Sequence, residues 1–361
     1  MKKLIAGPMA TLSHQGLRKI IEDFGGCDEY YTEMINAASF LTHGQFESFY
    51  ALNDFGREKI VWQLTGKDAG PMAECARELC FLGGIGIDLN MGCSAPEIYK
   101  SGAGIAWMLK PREETERLVC EVRNAIDSFN NETLVTSNDS ENPHLIHRHQ
   151  RLSVKLRLGD ENFKEDEFYD FCEMLYKNGV EQLVLHPRTK KEKLARPPRY
   201  QFVEQLALNM KDKIPVILNG NVKDVASYEY AMSKAPDASG VMIARMSAQK
   251  PWIFYKLGIG NEELGIGASG AVERGFLVEK DGDVLVDRFK VGMEYIANLR
   301  LYQPKEFWET RMQRFFAYYC DNFSFGHYIK SKMLNCKTLE EAEKTFESYF
   351  DEMPSDRFEK I

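Results

Sequence analysis

The chain has 361 residues, 44% of them hydrophobic and 28% charged, with a formal net charge of −8 at pH 7. That composition carries a sizeable core and excludes a chain disordered throughout, and no apolar run approaches the roughly 20 residues of a membrane span. A net-negative protein repels polyanions at long range, so a nucleic-acid partner requires local clusters of basic residues.

The opening residues MKKLIAGPMATLSHQG hold too short an apolar stretch for a signal peptide and read as a first strand. Short, β-branched apolar runs follow in order: LIAG (4–7), EYYTEM (29–34), KIVWQL (59–64), IGIDLN (85–90), LSVKLRL (152–158), EQLVLHP (181–187), IPVILNG (214–220) and SGVMIAR (239–245). Amphipathic helical stretches at 70–82, 112–126, 165–178, 200–211 and 223–234 lie between them. Near-continuous apolar strands alternating with helices indicate a parallel sheet buried on both faces. Eight such units in about 250 residues fit an α/β fold of the (β/α)8 TIM-barrel class. A doubly wound sheet is the competitor, but no GxGxxG turn follows any strand.

Residues 127–150 break the rhythm and read as a polar excursion. Its histidines His144, His147 and His149 read as solvated surface residues, and no metal site is expected. The barrel is placed at residues 1–258, and a Gly-rich connection at 259–283. A small all-helical C-terminal domain at 284–361 holds four helices, the last starting at Thr338-Leu339. Aromatics such as Phe307, Trp308, Phe315, Phe316, Tyr318 and Tyr319 read mainly as core of that bundle. The eight cysteines contain no CxxC pair and read as a reduced, cytoplasmic set.

In a parallel barrel the chemistry sits at the carboxyl ends of the strands. Those ends carry Pro8-Met9, Glu33, Gln63, Asn90 with Cys93, Lys155 with Arg157, His186 with Arg188, Asn219-Gly220-Asn221 and Ala244-Arg245. A purely structural barrel does not require a polar, charged or tight-turn group at every end, so the register points to a ligand. The Asn-Gly-Asn turn and Arg245 follow strands seven and eight, where such barrels hold phosphate. An inward Lys155 needs a counter-charge. A flavin supplies one, and Gln63 offers its ring edge both a donor and an acceptor. The alternative for Lys155 is an ion pair with a carboxylate such as Glu33. Cys93 follows the fourth strand and reads as a general acid or nucleophile, against the alternative of a small loop residue.

The motifs AGPMATLSHQGLR, TEM (32–34), VWQLTG (61–66), DLNMGC (88–93), GAGIAWML (102–109), VKLRLG (154–159), LHPRT (185–189), NGNV (219–222) and GVMIAR followed by PWIF (240–254) occur in family order. Over about residues 3–255 the chain resembles the tRNA-dihydrouridine synthases. Ser94 and Ala95 separate Cys93 from Pro96, where the family pattern has Pro directly after the cysteine. The resemblance implies an oxidoreductase that uses FMN and NADPH to reduce uridines in tRNA, with Cys93 protonating C5 as hydride reaches C6. It assigns Pro8, Met9, Ala10, Gln63, Lys155, His186, Asn219, Asn221, Ala244 and Arg245 to FMN. Asn90, Arg157 and Arg188 are assigned to the substrate nucleotide. A cytoplasmic location, from the reduced cysteines, and a monomer are expected. An FMN barrel acting on a small molecule, or a tRNA-binding relative without catalysis, are the other readings.

The charge pattern agrees with an RNA partner. Residues 186–200 hold six Lys/Arg and one Glu, and residues 288–337 hold nine Lys/Arg and four Asp/Glu. The overall negative charge therefore lies elsewhere, including three basic against eight acidic residues in 338–361.

Overall fold

The computed structural model describes residues 2–136, 149–192, 195–258 and 269–361. By internal packing the chain divides into two compact units. The first comprises residues 1–5, 29–222 and 226–242; the second comprises 6–28, 223–225 and 243–361.

Nine strands form one sheet: β1 (Lys3–Ala6), β2 (Glu29–Tyr31), β3 (Ile35–Asn36), β4 (Ile60–Thr65), β5 (Gly86–Met91), β6 (Arg151–Arg157), β7 (Gln182–His186), β8 (Val216–Asn219) and β9 (Gly240–Ile243). Their order is β2-β1-β9-β8-β7-β6-β5-β4-β3, and an additional β2–β4 pairing closes the ring. Eight strands make the barrel, and the two-residue β3 pairs in parallel with the end of β4. The expected TIM barrel is present, with every predicted strand in place.

Side chains two apart on a strand share a face. Ile5, Tyr31, Val61, Val184, Ile217 and Met242 belong to one buried apolar cluster. One pleat repeat further toward the strand ends, the same faces carry Gln63 above Val61, His186 above Val184 and Asn219 above Ile217. An apolar layer thus supports a polar one. On β6 the alternation is plain: Leu152, Val154 and Leu156 are fully buried, while Ser153, Lys155 and Arg157 take the other face.

Of the stretch 127–150 read as a polar excursion, the first ten residues are helical, and 137–148 lie outside the described residues. Those ten continue the helix Arg112–Thr136. The reason is a residual apolar stripe: Ile126 and Phe129 are buried, and Phe129 meets Phe81 edge-on at 4.9 Å. The polar residues between them face outward, and Asn130 bonds the backbone of Gln150 through both ends of its amide. His144 and His147 lie outside the described residues. His149 is exposed and paired with Glu181 at 2.6 Å, and no cluster of three metal-ligating side chains occurs among the described residues.

The second unit is mainly helical, but not wholly so. Its helices include Gln15–Asp23, Arg288–Tyr302, Lys305–Tyr319, Gly326–Asn335 and Leu339–Glu352. Three antiparallel strands, β10 (Leu277–Lys280), β11 (Asp283–Asp287) and β12 (Phe358–Lys360), form a small sheet. This corrects the expectation of helix throughout. The hairpin turn Asp281-Gly282, both at positive φ, is the local cause. The core is aromatic: Tyr295, Phe315, Phe316, Tyr319 and Phe346 are fully buried, with Tyr295 stacked on Phe315 at 3.7 Å. Phe307, Trp308 and Tyr318 are only half-buried. The helix Gln15–Asp23 joins this bundle because His14 meets the Tyr295 hydroxyl at 3.0 Å and Asn298 donates to the Gly16 carbonyl. Thr338 caps the last helix as expected, its hydroxyl accepting from the Glu341 N–H.

Candidate active site

Cys93 lies two residues beyond β5 and is half-buried. Its loop is tied from three sides. Asn90 Oδ1 accepts from the backbone N–H groups of Gly92 (3.2 Å) and Cys93 (2.9 Å). Arg157 Nε donates to the Gly92 carbonyl at 3.0 Å. The Ile105 N–H donates to the Cys93 carbonyl at 2.9 Å. Both peptides flanking the thiol are therefore fixed.

Lys155 pairs in register with Asn90 across β5 and β6. Its ammonium group has no hydrogen-bond or ion-pair partner among the described residues, so the alternative pairing with Glu33 does not form. Burial, reinforced by the Arg157 charge, pushes its pKa down from 10.5 to about 8, with Asp88 and Cys93 opposing the shift. Burial and the neighbouring Arg188 likewise lower Arg157. Three cations stand close together here, and the place favours an anion.

Gln63 is fully buried and its amide is already engaged. Nε2 donates to Asp88 Oδ2 at 2.7 Å, and Oε1 accepts from Asn90 Nδ2 at 2.9 Å. One N–H of Nε2 has no partner among the described residues. Asn219 donates to the Met242 carbonyl at 2.8 Å, leaving its Oδ1 open. Asn221 is exposed and left-handed, φ 55°. Between them Gly220 has φ +130°, and a Cβ there would stand 2.9 Å from the His186 ring. Only glycine lets the turn close over that imidazole.

His186 Nε2 lies 2.9 Å from Arg188 NH1. Because a guanidinium only donates, Nε2 accepts and the ring proton sits on Nδ1. Arg188 is 1% exposed, and its Nε donates to the Arg196 carbonyl at 2.5 Å. It braces the loop after β7 as an internal strut.

Pro8, Met9, Ala10, Ala244 and Arg245 belong to the second unit. There Ser13 bonds the Met9 backbone in both directions, with Thr11 left-handed at φ 67°. Ala10 and Arg245 are exposed, and Pro8, Met9 and Ala244 half-buried. The Gly7 N–H donates to the Ile243 carbonyl.

A polar chain that the motifs did not single out runs below Gln63. Asp88 accepts from Ser153 at 2.8 Å; Gln182 donates to the Tyr31 hydroxyl at 3.0 Å; and Glu29 is held by Arg151 through two bonds of 2.8 and 2.6 Å. The available signal was polar residues at i and i+2 in apolar strands, as in Asp88 and Asn90.

Much of the basic charge is paired locally. In the first unit Lys190 meets Asp160, Lys191 meets Glu161 and Arg199 meets Glu192. In the second, Arg300 meets Glu340 and Glu343, Lys330 meets Asp321 and Lys337 meets Glu309. Lys305, Arg314 and Lys332 have no ion-pair partner among the described residues. They lie over the rings of Trp308, Tyr318 and Tyr328. No described helix is long and apolar enough to cross a membrane.

Residues 4–264 match the family described as Dihydrouridine synthase (Dus). The chain is 26% identical over 263 residues to the tRNA-dihydrouridine(16) synthase of Cupriavidus necator, covering 71% of this chain and 74% of that protein. It is 27% identical over 255 residues to the tRNA-dihydrouridine(16) synthase of Pseudomonas syringae pv. tomato, covering 69% and 72%. It is 22% identical over 359 residues to a probable tRNA-dihydrouridine synthase of Staphylococcus aureus, covering 98% and 94%. With a match across most of the chain and a closed parallel barrel beneath it, this chain belongs to the dihydrouridine synthase family.

Proposed function

We propose that the protein reduces uridines in tRNA to 5,6-dihydrouridine, with FMN as its resident cofactor and NADPH as electron donor. The observation that carries the reading is the pairing of a fixed, half-buried Cys93 with Lys155 one strand away, whose ammonium group has no hydrogen bond or ion pair among the described residues. The donor set of the first unit fits a flavin. Lys155 seeks an anion, Gln63 keeps one N–H, and the Gly220 turn packs on His186 between Asn219 and Asn221. The motifs extend the same assignment to Pro8, Met9, Ala10, Ala244 and Arg245.

FMN, when bound and reduced, supplies hydride to uracil C6. Lys155 holds positive charge where negative charge accumulates on the bound ring, which it does best when the charge is already in place. Cys93 supplies the proton to C5 from its thiol. Asn90 and Arg157 hold the Cys93 loop from opposite sides, and each retains donor capacity for a nucleotide. The target base must leave its stack to enter.

The purified protein should be yellow and should oxidise NADPH faster when given unmodified tRNA. Cys93→Ala should keep the flavin and lose most dihydrouridine formation, by about 10²-fold or more. A protein that stays colourless after FMN is supplied refutes the cofactor; full activity without Cys93 refutes its acid role. Reduction of small enones with no response to tRNA would replace the substrate.

A further inference from the structure

We propose that Asp88 is a positioning residue: it sets the direction of the hydrogen-bond relay Asp88–Gln63–Asn90 that fixes the backbone of Cys93. The inference deepens the function proposed above and rests on it for the role of the thiol.

The argument concerns the sense of each bond. An amide side chain can turn either way, and its environment decides which end is donor. At the top of the relay stand two backbone N–H groups, those of Gly92 and Cys93, so Asn90 must present its oxygen to them. Its NH2 then points to Gln63, whose oxygen accepts it. The Gln63 NH2 is therefore directed downward, and it needs an acceptor. Asp88 supplies that acceptor at 2.7 Å, from a side chain with no exposed surface. An ionised carboxylate only accepts, so the whole chain has a single consistent sense.

Asp88 is faced by Lys155 and Arg151 from β6 and by Tyr31 from β2, as well as by Gln63 and Ser153. Burial raises its carboxyl to about 6, opposed by the bonds from Gln63 and Ser153, so it is mainly ionised at neutral pH. Without an acceptor at 88, the Gln63 amide can reverse. Two NH2 groups would then meet at Asn90. Asn90 would reverse in turn and present donors to the donors of the Cys93 loop.

The relay makes a distinctive demand: position 88 needs an acceptor, not a charge. Asp88→Asn can keep its oxygen toward Gln63 and turn its NH2 to Ser153, whose hydroxyl has the Ile87 carbonyl within 3.4 Å. Asp88→Leu has no acceptor. On full-length, FMN-reconstituted protein, kcat and KM with unmodified tRNA would be measured. The rate of Cys93 alkylation by iodoacetamide would be followed by peptide mass, and flavin absorbance and thermal melting recorded.

Asp88→Asn should stay within about threefold of the parent in kcat and alkylation rate. Asp88→Leu should lose at least about tenfold in kcat with KM little changed, and its Cys93 alkylation rate should shift about threefold or more. If Asp88→Leu does not fold, Gln63→Leu breaks the next link while leaving Asp88 on Ser153, and must show the same alkylation shift. Parent-like kcat and alkylation in Asp88→Leu overturn the proposal. So does loss of activity in both Asp88 variants with Cys93 alkylation unchanged. Because alkylation needs no turnover, failure of the relay is distinguishable from failure of the proposed reaction.

Discussion

Gly104 is packed against Cys93 so closely that a Cβ at 104 would stand 2.6 Å from the Cys93 carbonyl oxygen and 2.8 Å from Ile98 Cγ2. Its φ is +61°, a conformation that side chains rarely adopt. Gly104 is thus fitted against the backbone and Cβ of Cys93. Gly104→Ala should destabilise the protein by roughly 2 kcal/mol and displace Cys93. Turnover should fall more than about tenfold, whereas Gly102→Ala, which meets nothing closer than 3.6 Å at its Cβ, should show only its backbone strain. Melting temperature and single-turnover rates compare the two.

Lys155 costs stability where it stands. Its pKa falls from 10.5 to about 8, chiefly through burial. A lysine lowered on folding destabilises fully below the folded value, and the cost fades as pH rises from about 8 to 10.5, where the unfolded chain holds more protons. Lys155→Met should therefore stabilise the ligand-free protein at pH 7 by about 1–3 kcal/mol. The gain should shrink above pH 8 and activity should be lost. Denaturant titrations at pH 7 and pH 10 provide the measurement; an equal or negative change at pH 7 contradicts it.

Glu29 behaves in the opposite sense. Burial alone would raise its carboxyl, but the Arg151 hydrogen bonds and charge, aided by Lys3, bring it down to about 2. The associated stability is complete above its ordinary 4.5 and is lost as pH falls toward 2. Glu29→Gln should flatten this acid limb. It also leaves the largely buried Arg151, with Lys3 nearby, short of its counter-charge, at a cost of about 3 kcal/mol or more at pH 7. Unfolding followed from pH 2 to pH 6 separates the two effects.

The cations Lys305, Arg314 and Lys332, each over an aromatic ring and with no ion pair among the described residues, have charge available for phosphate contact. Replacing all three with Gln should weaken tRNA binding and lower the slope of log K against log salt by about one per phosphate contact removed. A slope identical to the parent's would place the tRNA contact elsewhere. Substituting Arg300, held by Glu340 and Glu343, should change tRNA binding far less.

The barrel was legible in the sequence because parallel strands buried on both faces read as short apolar runs, and all eight predicted runs form strands. The Asn-Gly-Asn turn was legible too, since few residues tolerate its left-handed backbone. The long helix past residue 126 was not, because two buried side chains sufficed to extend it through a polar composition. Nor was the small sheet, where β12 pairs with β11 from some 70 residues away in sequence.

At the site, local sequence placed Asn90, Gln63, Lys155 and His186 at strand ends, since the period of two assigns each to the inner face, and Cys93 in the loop just beyond β5. Tertiary structure decided what their atoms were free to do. Gln63 and Asn90 are largely committed to one another and to Asp88, Arg188 is an internal strut, and Lys155 lacks the carboxylate it was offered. Which face a side chain occupies is a local property of the strand. Which hydrogen bonds remain open depends on neighbours brought together only when the sheet closes.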